Sequence, residues 1–273
     1  MAEPKVLDEP VYTKNGNSAL FNQLALKIEM DSVSQEEYYA WLDDATRTIG
    51  AAVPGAQIAE KDNARQAPPL NTAVYYDTPD HRVLPTGALL RTSCNKITHA
   101  FCAYKGAHDE HSVRRDYRYI FDGEQKRVIQ EAPASDEAVS LVYALLRRTD
   151  IEHPGTLLLR EHDIDPTELT PALLLEDYRY TFFVWLDGKD ALRCSLDRAF
   201  VSNLRLDEDE RSVRPVSEVE LAIYPHISQE VAADPRVVSL IKELSRSLCG
   251  RFDTRVTTAI KYQRSAKALG IGG

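Results

Sequence analysis

Gln23-Leu24-Ala25-Leu26-Lys27-Ile28-Glu29-Met30-Asp31 alternates polar or small side chains with large apolar ones along its whole length. Successive strand side chains point to opposite faces, so Leu24, Leu26, Ile28 and Met30 share one face. Gln23, Ala25, Lys27, Glu29 and Asp31 share the other. On an isolated antiparallel strand the polar face would simply meet water. Several later stretches carry a similar face rich in Arg, Lys and Glu, which points instead to strands closed into a barrel with a charged lumen.

The 273 residues are 43% hydrophobic and 27% charged, enough apolar material for a sizeable core. A β-barrel of this length commonly forms one domain. No apolar run approaches the roughly 20 residues that a membrane-crossing helix needs, and the acidic, proline-containing start lacks a signal-peptide pattern. The expectation is a soluble protein of the cytoplasm, without a membrane partner. The net charge of -9 argues against coating by nucleic acid, whose affinity rests on many basic residues meeting phosphates. Cys94, Cys102, Cys194 and Cys249 lie far apart with no C-x-x-C spacing, so reduced thiols are expected.

Residues 1–17 read as a loose lead-in and residues 18–268 as a single domain. After the first strand, Ser32 to Ser34 supplies capping hydroxyls, and Gln35 to Ile49 places Tyr38, Trp41, Leu42, Ala45 and Ile49 on one helical face. A loop follows to Asn71. Strands are then expected at Val74-Tyr75-Tyr76, Gly87 to Ser93, Ala100 to Gly106 and Val113 to Phe121. A capped helix spans Ser135 to Arg148. Four more strands are expected at Leu157 to Glu161, Glu176 to Leu186, Leu192 to Phe200 and Ser217 to Tyr224, with a hairpin at Asp187-Gly188. Pro235 to Cys249 reads as the last long helix, and Thr254 to Lys267 closes the chain. The pattern is α+β, dominated by an antiparallel barrel with flanking helices.

Glu218 and Glu220 fall on one strand face, about 7 Å apart by the usual rise. Such a pair is either bridged to lysines or holds a hard cation such as Mg²⁺ or Mn²⁺ that also ligates phosphate. Around it stand Lys27, Arg91, Lys105, Arg114, Arg160, Arg179, Lys261 and Arg264, each on or beside an expected strand. Scattered over an outer surface they would be solubilising charges. Facing one lumen they would need a polyanion, because buried unpaired cations cost several kcal/mol each.

Tyr75-Tyr76-Asp77-Thr78-Pro79-Asp80 followed by Gly87-Ala88-Leu89-Leu90-Arg91 resembles the Y-x-D-T-P-D…G-x-x-L-R segment of the CYTH superfamily, the triphosphate tunnel metalloenzymes. Tyr104-Lys105-Gly106, Arg114 with Asp116, Arg179, Leu196-Asp197-Arg198, Glu218-Val219-Glu220-Leu221 and Lys261-Tyr262-x-Arg264 extend the resemblance over roughly Gln23 to Ala268. Each motif is weak alone; their order and spacing carry the likeness. It implies an eight-stranded antiparallel tunnel that binds a small-molecule triphosphate or polyphosphate. Lys27, Arg91, Lys105, Arg114, Arg179 and Lys261 would bind phosphate, and Glu218 and Glu220, with Glu29 as a further candidate, would hold Mg²⁺ or Mn²⁺. Lys27 is the family-like catalytic base, while Asp116 and Asp197 would orient arginines. A homodimer is left open.

The chain departs from that pattern at the family's E-x-E-x-K strand, whose glutamates map to Gln23 and Ala25 while Lys27 is kept. Ala222 stands where a further carboxylate is often found, and Ser93 where a second arginine is common. Either Glu29 and Asp31 compensate along the same strand face, or the tunnel keeps its grip on phosphate and loses its chemistry. The leading expectation is a metal-dependent hydrolase of inorganic triphosphate or of a nucleoside or organic triphosphate. The alternatives are a class IV-type adenylyl cyclase and a catalytically weak nucleotide- or polyphosphate-binding protein.

Overall fold

A computed structural model describes residues 12–61, 64–111 and 113–272, with the backbone alone for Gln23. In chain order the first elements are β1 (Tyr12–Asn15), β2 (Ser18–Glu29), α1 (Gln35–Ala52), β3 (Ala56–Glu60), β4 (Leu70–Asp77), β5 (Leu89–Asn95), β6 (His99–Lys105) and β7 (Val113–Ile120). A helical stretch follows, with α2 (Gly123–Glu131), α3 (Asp136–Leu146) and α4 (Pro154–His162). The chain then makes β8 (Thr170–Leu186), β9 (Lys189–Asn203), β10 (Arg214–Ile223), α5 (Gln229–Ala232), α6 (Pro235–Phe252), β11 (Val256–Thr257) and α7 (Lys261–Ala268).

Eight strands in the order β2-β10-β9-β8-β4-β5-β6-β7 pair antiparallel, and β7 returns to β2 to close the ring. The expected α+β barrel is therefore present. β2 makes the closure by dividing its length: Ser18 to Leu24 pair with β7 and Ala25 to Glu29 with β10. Outside the ring, β1 forms a hairpin with β2, β3 pairs with the far half of β8, and β11 lies along Lys27 and Ile28. The β8–β9 hairpin turns at Asp187 and Gly188, both at positive φ, as the tight Asp-Gly turn requires.

The alternation of β2 decides which side of the wall each residue serves. Leu24, Leu26, Ile28 and Met30 point outward into a core completed by Tyr38, Trp41, Leu42, Ala45 and Ile49 of α1 and by Leu240, Ile241, Leu244 and Leu248 of α6. Each such side chain gains about 1.5–3 kcal/mol on leaving water. The Ser34 hydroxyl accepts from the Glu37 amide and the Glu37 carboxylate accepts from the Ser34 amide, so α1 starts at a capping box. A second apolar cluster fills the opposite outer side, where Val74, Tyr76, Leu90, Cys102, Tyr104 and Tyr117 meet α2, α3 and α4. The main cores thus lie between wall and helices, leaving the inner face to the polar residues.

Five expectations need correction. Leu157 to Glu161 is not a strand but the middle of α4. Pro154 opens that helix and the His153 ring accepts from the Gly155 amide, a start signal that the short Leu-Leu-Leu run concealed. Arg160 rides on α4, pairs with Glu152 and lies outside the barrel. Lys261, Tyr262 and Arg264 belong to α7 rather than to or beside a strand. Residues 12–15, placed in the lead-in, form β1, and residues 56–60, placed in a loop, form β3; both are short strands that gain order only by pairing. Gly16 and Asn17 make the turn between β1 and β2, and residues 1–11 of the expected lead-in lie outside the described residues.

A third apolar cluster sits on the inner face at one end of the barrel, where Tyr75, Leu89, Leu173, Leu175, Val201 and Val216 surround Ile260, Tyr262 and Ala266 of α7. The Tyr262 ring stacks on Tyr75 with centroids 4.8 Å apart. Asp77, fully buried, holds this end together: its carboxylate accepts from the amides of Thr78 at 2.8 Å, Val83 at 2.8 Å and Leu84 at 3.1 Å, and from the Tyr262 hydroxyl at 2.7 Å. Gly87, at φ +77, lets the chain turn from that clamp into β5. Asp77→Ala would orphan all these donors at once, and each buried unsatisfied donor costs about 1–3 kcal/mol. Urea denaturation of this variant is expected to show a loss of about 3–5 kcal/mol.

Candidate functional site

The inner face of the wall brings the expected charged residues into one lumen. β2 contributes Ala25, Lys27 and Glu29; β5, Arg91 and Ser93; β6, Lys105; β7, Arg114, Asp116 and Arg118; β8, Asp177 and Arg179; β9, Arg193, Ser195 and Asp197; β10, Glu218, Glu220 and Ala222. α7 adds Lys261 and Arg264 from the closed end. Because these elements are adjacent in the ring, charges far apart in sequence become neighbours.

Most of the cations are already engaged. The Lys27 ammonium donates to Glu218 at 2.7 Å and to Glu220 at 2.6 Å. Lys261 donates to Asp177 at 3.0 Å and Asp197 at 2.6 Å, with Glu218 at 3.6 Å. Arg179 grips both oxygens of Asp197, at 2.8 and 2.5 Å. Arg118, sandwiched between the Phe21 and Phe101 rings, grips both oxygens of Asp116, which also takes Lys105 at 2.8 Å. Arg264 reaches Glu218 at 3.2 Å and Asp31 at 2.8 Å. Asp116 and Asp197 thus each hold a bidentate arginine and a lysine; for Asp197 the arginine is Arg179, whereas Asp116 holds Arg118 and not Arg91 or Arg114.

Arg91 and Arg114 differ from the rest. Arg114 is 5% exposed, and neither its Nε nor its Nη1 has a hydrogen-bond partner. The Arg91 Nε is equally orphaned, its guanidinium reaching only the Tyr75 hydroxyl at 3.4 Å. Among the described residues neither makes an ion pair within 4 Å, although Glu220 and Asp116 act on Arg114, and Asp116 on Arg91, from further away. A buried guanidinium with idle donors is costly in isolation and is satisfied by a bidentate anion such as phosphate.

The residues expected to hold a divalent cation come together only in part. Glu218 is fully buried, with one oxygen on Lys27 and Lys261 and the other on Arg264. Glu220 carries Lys27. Glu29 pairs in register with Glu218, but its carboxylate lies 3.9 Å from Arg264 and is 36% exposed. Gln23 stands opposite Arg114 in the β2–β7 ladder, its side chain lying outside the described residues. Ala25 pairs with Ala222, so two departures from the family pattern meet side by side in the wall. Among the described residues no three His, Cys, Asp or Glu side chains are grouped as metal ligands. The donor set as placed does not fit Mg²⁺ or Mn²⁺, because the protein's own cations cover the carboxylates.

Lys27, the candidate base, is a donor to two carboxylates, and as an ammonium it would have to give up a proton before it could accept one. Lys105 holds its proton loosely: burial, with Arg114, Arg91 and Arg118, outweighs Asp116 and pulls it well below the usual lysine range. Arg118, Asp177 and His108 are lumen or near-lumen residues that sequence reading did not put in the site. Parity along β7 and β8 was a signal for the first two. His108 had none: it follows β6 and lines, with Ala25, Lys27, Gly87, Thr257 and Gln263, a cavity of about 250 Å³. Burial, with Arg114 and Lys27, pushes its imidazole down to about 3, so it is neutral, and its Nε2 has no partner. A larger groove of about 600 Å³, bordered by Lys14, Tyr119 and Arg148, lies outside the barrel and contains none of the expected site residues.

The ion pairs set the response to acid. Burial alone would raise Asp116, Asp197, Glu218 and Glu220, but the cations around each outweigh it and hold all four below the usual carboxylate range. Asp177 runs the other way, raised by burial and by Asp197. Unfolded carboxylates take up protons near pH 4, whereas the four lowered ones do so only at lower pH. Between those limits the unfolded chain binds more protons, so the stability present above about pH 4 is lost as pH falls. Urea midpoints measured across pH are expected to fall gently from about pH 6.5, as His99 and His108 take up protons in the unfolded chain, and to drop more steeply below about pH 4.

No family model and no curated protein matches the chain. Solved structures do resemble it. A candidate adenylate cyclase of Bacillus halodurans is 16% identical, covering 90% of this chain and 97% of its own at a TM-score of 0.49. HpAC1 from Hippeastrum, whose structure is reported with a dominant triphosphatase activity, is 14% identical, covering 89% and 95% at a TM-score of 0.47. A candidate adenylate cyclase of Vibrio parahaemolyticus is 12% identical, covering 90% and 98% at a TM-score of 0.43. What the chain's own topology shows is a closed eight-stranded antiparallel barrel with cations and carboxylates facing its lumen.

Proposed function

We propose that the protein binds a triphosphate or polyphosphate anion in its barrel, with Lys27, Arg91, Lys105, Arg114, Arg179 and Lys261 as the phosphate-binding set. The observation that carries this reading is Arg114, a guanidinium 5% exposed whose Nε and Nη1 have no partner in a lumen shared with Arg91, Lys105 and Arg118. Phosphate oxygens supply the acceptors that the wall withholds. Arg179 and Lys261 hold the opposite side of the lumen, already oriented by Asp197. A linear anion with several charges matches cations spread around a ring better than a single phosphate does.

Hydrolysis of the bound triphosphate with Mg²⁺ or Mn²⁺ is the second reading. What favours it is the pair Glu218 and Glu220, both held in the ionised form on one strand face beside Lys27. Calorimetric titration with inorganic triphosphate and ATP, run beside phosphate-release assays in Mg²⁺, Mn²⁺ and EDTA, separates the two. Tight, salt-sensitive binding without turnover supports the receptor. Phosphate release that requires the metal and vanishes in Glu220→Gln supports the hydrolase. No binding of either anion removes both.

Arg114→Met should weaken triphosphate binding about 10- to 100-fold, the value of one or two charge-assisted hydrogen bonds. The same variant, measured without ligand, is expected to be as stable as the parent or about 1 kcal/mol more stable, since it removes a buried guanidinium with two idle donors. A structural arginine would show the reverse. Lys105 adds a pH signature: an anion beside it favours its charged form, so binding takes up protons and affinity falls as pH rises through the range where Lys105 deprotonates. Titrations in buffers of different ionisation enthalpy read that uptake directly.

A further inference from the structure

We infer that Lys27 is a built-in counter-ion, seated between Glu218 and Glu220 in the place a divalent cation would need, so that this tunnel takes its polyphosphate without a metal. The second half of that statement rests on the anion-binding reading above; the first stands on the geometry of three side chains. Lys27 Nζ lies 2.7 Å from a Glu218 oxygen and 2.6 Å from a Glu220 oxygen. Lys27 is 5% exposed and Glu218 fully buried, so water does not screen the contacts. Lys27 and Glu220 are register partners in the β2–β10 ladder, and Glu218 is the next inward residue of the same strand. The backbone therefore delivers the ammonium to the carboxylates without a long reach.

Two further observations point the same way. One residue pair along the same inward row, Ala25 stands beside Ala222, so the lumen offers no carboxylate there to recruit an ion. At the other end of the row Glu218 is enclosed by Lys261 at 3.6 Å and Arg264 at 3.2 Å. Remaining oxygen ligands would have to be shared with three fixed cations, and a doubly charged ion entering among them meets like charge on each side. A single ammonium has no such difficulty: its donors match the two acceptors and its charge is already in place when the anion arrives. The cost falls on chemistry, because the group committed to this pairing is the one expected to act as a base.

Metal binding and anion binding can be read separately on the full chain. Mn²⁺ titration followed by electron paramagnetic resonance is expected to show no specific site in the parent, whereas Lys27→Gln, which uncovers the two glutamates, gains a site at least about tenfold tighter. Adding Glu220→Gln to that variant should abolish the gain. Calorimetric affinity for inorganic triphosphate should agree within about twofold between Mg²⁺ and EDTA, once binding of Mg²⁺ to the free anion is subtracted. A specific Mn²⁺ site in the parent that Glu220→Gln removes overturns the inference, as does a triphosphate affinity more than about tenfold higher with Mg²⁺. Equal Mn²⁺ binding in Lys27→Gln and the parent also overturns it. If Lys27→Gln fails to fold, the parent's Mn²⁺ and EDTA measurements decide alone. If no anion binds, the proposed function fails and the Mn²⁺ result still decides the place of Lys27.

Discussion

Every cation that faces the inside of a closed barrel must find an anion, and the arrangement of the lumen follows from that constraint. The wall leaves no edge at which Lys or Arg could turn outward, and the inner face is shared among strands from every part of the chain. Pairing is correspondingly dense: Asp197 serves Arg179 and Lys261, Asp116 serves Arg118 and Lys105, and Glu218 with Glu220 serves Lys27. These buried bridges contribute less to stability than their number suggests, because desolvation offsets much of the attraction. Their consequence is geometric. A cation held by a carboxylate has a fixed position; of the guanidiniums without one, Arg91 and Arg114 have buried idle donors while Arg193 is exposed, so the first two are left as the places where a bound anion gains most.

The closed end of the barrel connects this electrostatics to ordinary packing. α7 enters the inner face on an apolar contact, Tyr262 against Tyr75, and the Asp77 carboxylate fixes Tyr262 by its hydroxyl. Arg205 reinforces the same turn by donating to the carbonyls of Asp77 at 2.9 Å and Thr78 at 2.8 Å. Lys261 and Arg264 are carried on the same short helix, so their approach to Asp177, Asp197 and Glu218 depends on a clamp that touches none of those carboxylates. The Asp-Thr-Pro-Asp segment, the most specific piece of the resemblance, thus acts here through architecture. Its aspartate, already occupied by three amides and a hydroxyl, has no part in the charged lumen.

What the sequence made legible was whatever has a period. The alternation of β2 separates Leu24, Leu26, Ile28 and Met30 from Lys27 and Glu29, and the structure puts the two sets on opposite sides of the wall. The helical face of α1 reads equally well, because its five apolar residues recur at turn spacing. α4 was misread because three consecutive leucines have no period, and only the proline and the histidine cap before them mark a helix. β1 and β3 carry no signal strong enough alone, being strands by virtue of their partners. The substitutions at Ala25 and Ala222 were each visible in sequence, yet that they are neighbours is a matter of register, which no single strand records.

That adjacency joins two properties that would otherwise look independent. Replacing an inward carboxylate by alanine removes a ligand for a metal and, in the same step, makes the lumen more positive. The first change weakens any hold on Mg²⁺ or Mn²⁺; the second strengthens the field on an incoming polyanion. With Ala25 and Ala222 side by side, both changes act on the same patch of wall, next to the Lys27–Glu220 pair. Lys27 then supplies the single positive charge that the two remaining glutamates need. A barrel altered in this way keeps the positions of its lumen cations Lys105, Arg118, Arg179 and Lys261, because their partner aspartates, Asp116 and Asp197, lie elsewhere on the ring. Grip and chemistry are therefore separable in this fold: the residues that fix the cations are not those that would have held the ion.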